Sequence, residues 1–182
     1  KKNQIKIETR EGLDQANLVF AHHTPIYREQ KSSVAEVLNC LMADGMSSRL
    51  FSEIREKRNL AYAVKGGCQN GKHFAYNLVY VGTTKENVEE VKKIILQEFL
   101  KVSKNLTEKE LREIKEQLIS QYEISMENSQ SQLFTLFMYE SINNAKDFYD
   151  FEKNISDVSL EEVKELAAKA AKEHSFFALV PK

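Results

Sequence analysis

Residues 61–81 read AYAVKGGCQNGKHFAYNLVYV, and this stretch decides the kind of fold that the chain can form. Two runs rich in apolar and aromatic residues, 61–68 and 73–81, flank the tetrapeptide Gln-Asn-Gly-Lys. An Asn-Gly pair between such runs is typical of a hairpin, since both residues tolerate positive φ. The stretch therefore predicts two antiparallel strands. The pair Gly66-Gly67 predicts a bulge or the close approach of another backbone.

Three further strands are predicted on either side of this hairpin. Residues 4–9 alternate apolar and polar side chains, which is typical of a half-buried strand. Residues 15–23 form a longer strand-like run, and Ser175 to Val180 read as a short final strand stopped by Pro181. The hairpin thus belongs to a larger sheet whose pairings are predicted to be mostly antiparallel.

The remaining segments are predicted to be helical. One helix extends from about Glu29 to Ala43 and ends at Asp44-Gly45. A second begins at a cap formed by Ser47 or Ser48 and runs to about Arg58. Three more begin at tetrapeptides with the capping-box pattern, and an aromatic-rich helical stretch lies between the last two. The boxes occupy residues 83–86, 107–110 and 159–162, and the aromatic-rich stretch occupies residues 130–151.

This order of elements predicts an α+β fold in which helices pack on one face of the sheet. Neither a linker nor an internal repeat divides the sequence, so we expect residues 1–182 to form a single domain. The chain begins with Lys1 rather than Met, which we interpret as a fragment or a processed product of a longer protein.

Composition excludes several classes of function. Lys and Arg number 26 against 27 Asp and Glu, so the basic excess of a nucleic-acid binder is missing. No apolar run is long enough to predict a membrane span. Only Cys40 and Cys68 could form a disulfide, and we expect both to be buried small side chains in a reducing, cytoplasmic setting.

The sequence also predicts no metal site in this chain. The four histidines are His22, His23, His73 and His174. None forms the His-x-x-x-His spacing that places two ligands on one face of a helix. His22 and His23 are neighbours on a predicted strand and should point to opposite faces. Phosphate-binding glycine loops and a Gly-x-Ser-x-Gly nucleophile turn are missing as well.

One constellation could carry chemistry. Arg55 lies in the last turns of the second predicted helix, and Tyr62 enters the following strand seven residues later. The chain reverses between them, so a guanidinium and a phenol could converge on one point and hold a peptide carbonyl during hydrolysis. Arg58 is the second choice for the guanidinium. On spacing alone, an Arg–Glu ion pair and a plain strand aromatic remain the simpler interpretation.

The segment around this pair resembles the C-terminal homologous domain of the pitrilysin/insulinase family of zinc metallopeptidases, especially the branch of the mitochondrial processing peptidases. Gly-Met-Ser-Ser-Arg-Leu-Phe at 45–51 and Arg-Glu-Lys-Arg-Asn-Leu-Ala-Tyr at 55–62 carry the resemblance most specifically. Supporting segments stand in family order over nearly the whole chain. They are residues 17–23, 80–83, 106–111 and 158–163.

The resemblance implies one half of a clamshell of paired α/β domains. It implies that zinc is held by a homologous domain or subunit with a His-x-x-Glu-His motif, which this sequence lacks. Arg55 and Tyr62 match the Arg and Tyr with which the zinc-free domain reaches a peptide substrate. The isolated chain should therefore be inactive as a peptidase and should tend to self-associate.

Two alternatives remain open at this point. Some relatives of this fold have lost peptidase chemistry, so the chain could be an inactive scaffold or partner subunit in which Arg55 and Tyr62 have no catalytic role. The chain could also be a free-standing peptide-binding module that needs no partner domain.

Overall fold

A five-stranded sheet organises the chain in a computed structural model that describes residues 3–26 and 32–182. The strands are β1 (Ile5–Arg10), β2 (Ala16–His23), β3 (Ala61–Asn70), β4 (Ala75–Thr83) and β5 (Ser175–Pro181). Their order across the sheet is β1-β5-β2-β4-β3. Only the pairing of β1 with β5 is parallel among these strands. The predicted, mostly antiparallel sheet is therefore confirmed.

The helices lie in two segments, between β2 and β3 and between β4 and β5. They are α1 (Ser32–Ala43), α2 (Val88–Asn105), α3 (Glu108–Ser125), α4 (Ser129–Ile142), α5 (Phe151–Ser156) and α6 (Leu160–Lys172). A π-helix spans Phe51–Glu56, and 3-10 helices span Lys85–Asn87 and Ala145–Asp150. The α+β class is thus confirmed, while the predicted start of the first helix at Glu29 lies outside the described residues. Across the described residues, no helix combines the length and apolar character needed to cross a bilayer.

The helices cover one face of the sheet, as the burial of alternate strand residues shows. In β2 the side chains of Ala16, Leu18, Phe20 and His22 are buried, and those between them are half exposed. β4 alternates in the same way along most of its length. Phe20 stacks on Phe99 of α2 with ring centroids 5.1 Å apart. The core therefore lies between one sheet face and the helical layer, as predicted.

The prediction for residues 4–9 is right about the strand and wrong about its burial. Ile5 and Ile7 of β1 are 58% and 49% exposed. β1 lies at the edge of the sheet and packs mainly on β5. The apolar side chains of its alternating sequence therefore lack an apolar layer to pack against.

The hairpin is also confirmed, but its turn lies further along the chain than predicted. β3 continues to Asn70, which pairs with Ala75, so the turn is formed by residues 71–74. The amide of Gly71 donates to the carbonyl of Phe74 at 2.9 Å. Neither Asn70 nor Gly71 has a positive φ. Because the loop has four residues, Asn70 and Gly71 need not adopt the positive φ that a two-residue turn would require.

The three predicted capping boxes have different outcomes. Ser159 and Glu162 form both hydrogen bonds of the box at the start of α6. Thr107 forms only the half in which its hydroxyl accepts a backbone N–H at the start of α3. The first box is wrong, because Thr83 belongs to β4 and α2 begins only at Val88, after a 3-10 turn.

The apolar side of α3 is buried only in the first half of the helix. Leu111 and Ile114 are buried in the core. Tyr122 and Met126 remain half exposed, because an open groove separates this end of α3 from α4.

Candidate functional site

The candidate site is built on the segment that joins α1 to β3. Gly45 has a φ of 81°, the left-handed conformation that ends a helix and favours glycine. This confirms the predicted stop at Asp44-Gly45. The hydroxyl of Ser48 donates to the carbonyl of Gly45 at 2.8 Å, so it stabilises the turn instead of accepting a helical N–H as a predicted cap would.

The helical segment that carries Arg55 is partly a π-helix. The amide of Lys57 donates to the carbonyl of Ser52, five residues earlier, at 2.9 Å. Single π-turns are rare and frequently lie at functional sites. Asn59 then adopts a φ of 51° and directs the chain into β3. The predicted helix end near Arg58 is confirmed, whereas nothing in the sequence had indicated the wider π geometry.

An ion-pair network fixes this segment to the helical layer. The guanidinium of Arg49 donates twice to Glu110 of α3, each time at 2.7 Å. It also lies 3.5 Å from the buried carboxylate of Glu98 in α2, which accepts from Lys101 at 2.6 Å. These carboxylates raise the pKa of Arg49. Sequence analysis missed this network, although an acidic residue on the apolar stripe of α2 is a signal that could have found it.

Arg55 and Tyr62 line the same open pocket, which has a volume of about 430 Å³. The guanidinium carbon of Arg55 lies 5.1 Å from the ring centroid of Phe51, a cation–π contact that orients the side chain. Tyr62 is 64% exposed. The structure therefore brings the two predicted site residues together at the surface and seals neither of them inside.

The second-choice residue, Arg58, is engaged elsewhere. Its guanidinium donates to the backbone carbonyl and to the carboxylate of Glu53. Lys57 pairs with the same carboxylate, and the two cations lower the pKa of Glu53 to about 2. Arg55 has no ion pair with a carboxylate of the described residues. Of the three cations at the end of this segment, Arg55 is the one directed at the pocket.

The pocket offers hydrogen-bond donors at an exposed, net cationic surface. Arg55 and Lys65 contribute positive charge, and Asp44 contributes one carboxylate. A guanidinium and a phenol are both donors with stiff terminal groups, which suits them to bind a carbonyl oxygen or an oxyanion.

Residues 3–26 and 32–182 hold no cluster of three or more side chains suited to bind a metal ion. His22 and His23 point to opposite faces of β2, as predicted. Burial lowers the pKa of His22 to about 4, and its ring lies edge-on to Phe99 at 5.4 Å. The donor set of the described residues therefore does not fit a zinc site.

The two cysteines are free, and burial raises the pKa of each thiol to about 12. Cys40 is buried as predicted, whereas Cys68 is only partly buried. Neither thiol lines the pocket of Arg55 and Tyr62.

Fold and sequence together place the chain among the domains of zinc peptidases. The family described as Peptidase M16 inactive domain matches residues 1–118, and the chain belongs to this family. The resemblance to the inactive, C-terminal domain of this peptidase family is thereby confirmed. The assignment to the processing-peptidase branch stays a prediction.

Individual relatives agree with this family. The chain is 28% identical over 152 residues to an uncharacterised zinc protease of Rickettsia felis and 27% identical over 177 residues to the uncharacterised zinc protease YmxG of Bacillus subtilis. These matches cover 83% and 96% of the chain. The crystal structure of a protease from Helicobacter pylori matches 97% of the chain and 44% of its own, with a TM-score of 0.87 and 20% identity.

The chain spans only part of these proteins. It covers 35% of the Rickettsia protease and 43% of YmxG. More than half of each relative therefore lies outside the matched region.

Proposed function

We propose that this chain is the zinc-free half of a metallopeptidase, which closes over a peptide and contributes Arg55 and Tyr62 to the active site. Zinc would be held by a homologous domain, in the same chain or in a separate subunit. The observation that carries the proposal is the shared pocket, lined by an exposed phenol and by a guanidinium that pairs with no carboxylate of residues 3–26 and 32–182.

The proposed role of the pair is to bind and polarise the substrate. Arg55 and Tyr62 would donate hydrogen bonds to a peptide carbonyl oxygen and stabilise the negative charge that develops there. The π-helix, the Phe51 ring and the Arg49 network hold the Arg55 segment in place before substrate arrives. Such preorganisation is what makes donors effective in a transition state.

Photo-crosslinking tests whether a peptide reaches this pocket. The complete protein, with its zinc-binding half, is prepared with a photoreactive benzoylphenylalanine in place of Tyr62 and irradiated with a labelled, unfolded peptide. We expect a covalent adduct between the peptide and position 62. The matched control carries the same group in place of Tyr149, an exposed tyrosine on the 3-10 helix Ala145–Asp150.

An adduct at position 149 and none at position 62 would contradict the proposal. An adduct at position 62 in this chain without its zinc-binding half would instead support the free-standing peptide-binding module.

A further inference from the structure

Helix α4 (Ser129–Ile142) packs against little of the described part of the chain. None of its 14 residues is buried. It packs mainly on the 3-10 helix Ala145–Asp150, where Tyr139 meets Phe148 edge-on at 6.4 Å. Isolated helices of this length are marginally stable in water, and most helical stability in proteins comes from packing of an apolar face. We therefore expect that α4 needs a further surface to pack against in order to be stable.

The outer face of α4 has the composition of an interface. Leu133, Phe134, Phe137 and Met138 are 69%, 65%, 63% and 39% exposed, and their spacing places them on one face of the helix. We refer to these four residues as the α4 stripe. Glu140 is the one charged residue of α4, whereas eight of the 18 residues of α3 are charged. Interface cores are depleted of charge and enriched in aromatic residues and Met.

The inner side of α4 carries one polar and one apolar residue, Gln132 and Leu136. It borders a groove of about 550 Å³, to which Leu136 of α4 and Tyr122 and Met126 of α3 contribute. The apolar surface of α4 is therefore concentrated on the α4 stripe, and Leu136 adds to it on the inner side.

We propose that the α4 stripe is the docking surface for the homologous zinc-binding domain. This inference rests on the proposed function and adds the surface through which the two halves meet. The relatives support this occupant, because more than half of their length lies outside the region that this chain matches. Four large apolar side chains suit the centre of an interface that buries roughly 800 Å² on each partner.

Amide hydrogen exchange on the complete protein tests the proposed surface. We expect residues 130–142 to exchange about 100-fold more slowly in the complete protein than in the variant Phe134→Asp/Phe137→Asp, because the charges expel the partner domain. The matched control is Leu100→Asp, which places a charge at an exposed leucine of α2 and should leave α4 protected. Protection of β2 and β4 amides in each variant shows that the domain itself remains folded.

Rapid exchange of α4 in the unsubstituted complete protein would overturn the inference, whether or not the protein cleaves peptides. So would protection of α4 that depends on protein concentration and accompanies a particle with two copies of this chain, because the occupant would then be a second copy. Protection of α4 in a complete protein that lacks peptidase activity would support the docking surface and count against the proposed function alone.

Discussion

Arg55 and Arg58 are close in sequence but differ in the groups that their guanidiniums contact. Arg58 lies beside the carboxylate of Glu53 and donates to it. Arg55 lies over the Phe51 ring, which orients the guanidinium without neutralising its charge. A cation that is oriented and still available for a ligand is what a substrate-binding role requires. For this reason we favour Arg55 over the second choice.

Glu36 of α1 carries a prediction at the residue scale. Burial raises the pKa of its carboxyl group from 4.5 to about 7. The folded protein therefore holds this proton more tightly than the unfolded chain does, and the contribution of Glu36 to stability declines as pH rises from about 4.5 through 7. Glu36→Gln should raise the free energy of unfolding by about 1 kcal/mol at pH 8 and leave it nearly unchanged at pH 4.

Urea denaturation at the two pH values measures this difference. Glu116→Gln on the exposed side of α3 is the control and should change stability little at either pH. A Glu36→Gln protein that is less stable than the parent at pH 8 would show that the carboxylate is stabilised in the fold instead.

At the scale of elements, α1 lies so close to β3 that only glycine fits at one position. A Cβ atom added at Gly66 would lie 2.7 Å from the side-chain oxygen of Asn39 and 3.0 Å from the backbone carbonyl carbon of Ala43. Gly66→Ala should therefore lower the free energy of unfolding by about 2 kcal/mol, because α1 must shift away from the sheet. Chemical denaturation measures this loss.

Gly67→Ala is the matched control on the next residue of β3. Its Cβ would approach only the flexible side chain of Leu78, at 3.2 Å. We expect a clearly smaller loss of stability. Equal losses in the two variants would indicate a general cost of side chains in this strand and would refute the close approach of α1 as the cause.

Local sequence signals predicted most helices and strands. Errors arose where the position or exposure of an element depends on residues distant in sequence. The hairpin follows from two apolar runs and a turn sequence, but the position of its turn depends on how β3 pairs with β4. The close approach at Gly66 was predicted from the glycine pair, while the bulge lies instead between Ala61 and Ala63. The exposure of β1 depends on its place at the sheet edge, which its own sequence does not encode.

At the scale of the whole molecule, the sequence predicted the two residues that share the candidate pocket, and their catalytic role stays a prediction. The spacing of Arg55 and Tyr62, with the family resemblance, was sufficient to select the pair. The Arg49 network joins this segment to α2 and α3, which are distant in sequence, so it required the three-dimensional structure. The π-helix likewise became visible only in the structure.

The turnover number of the complete protein with Arg55→Ala or Tyr62→Phe tests the central claim most directly. We expect kcat for peptide hydrolysis to fall about 100-fold in Arg55→Ala and by a smaller factor in Tyr62→Phe, with bound zinc unchanged in both. Arg112→Ala, which removes an exposed arginine of α3, should turn over like the parent. Parent-like kcat in both Arg55→Ala and Tyr62→Phe, at full zinc content, would contradict the catalytic role and favour an inactive scaffold.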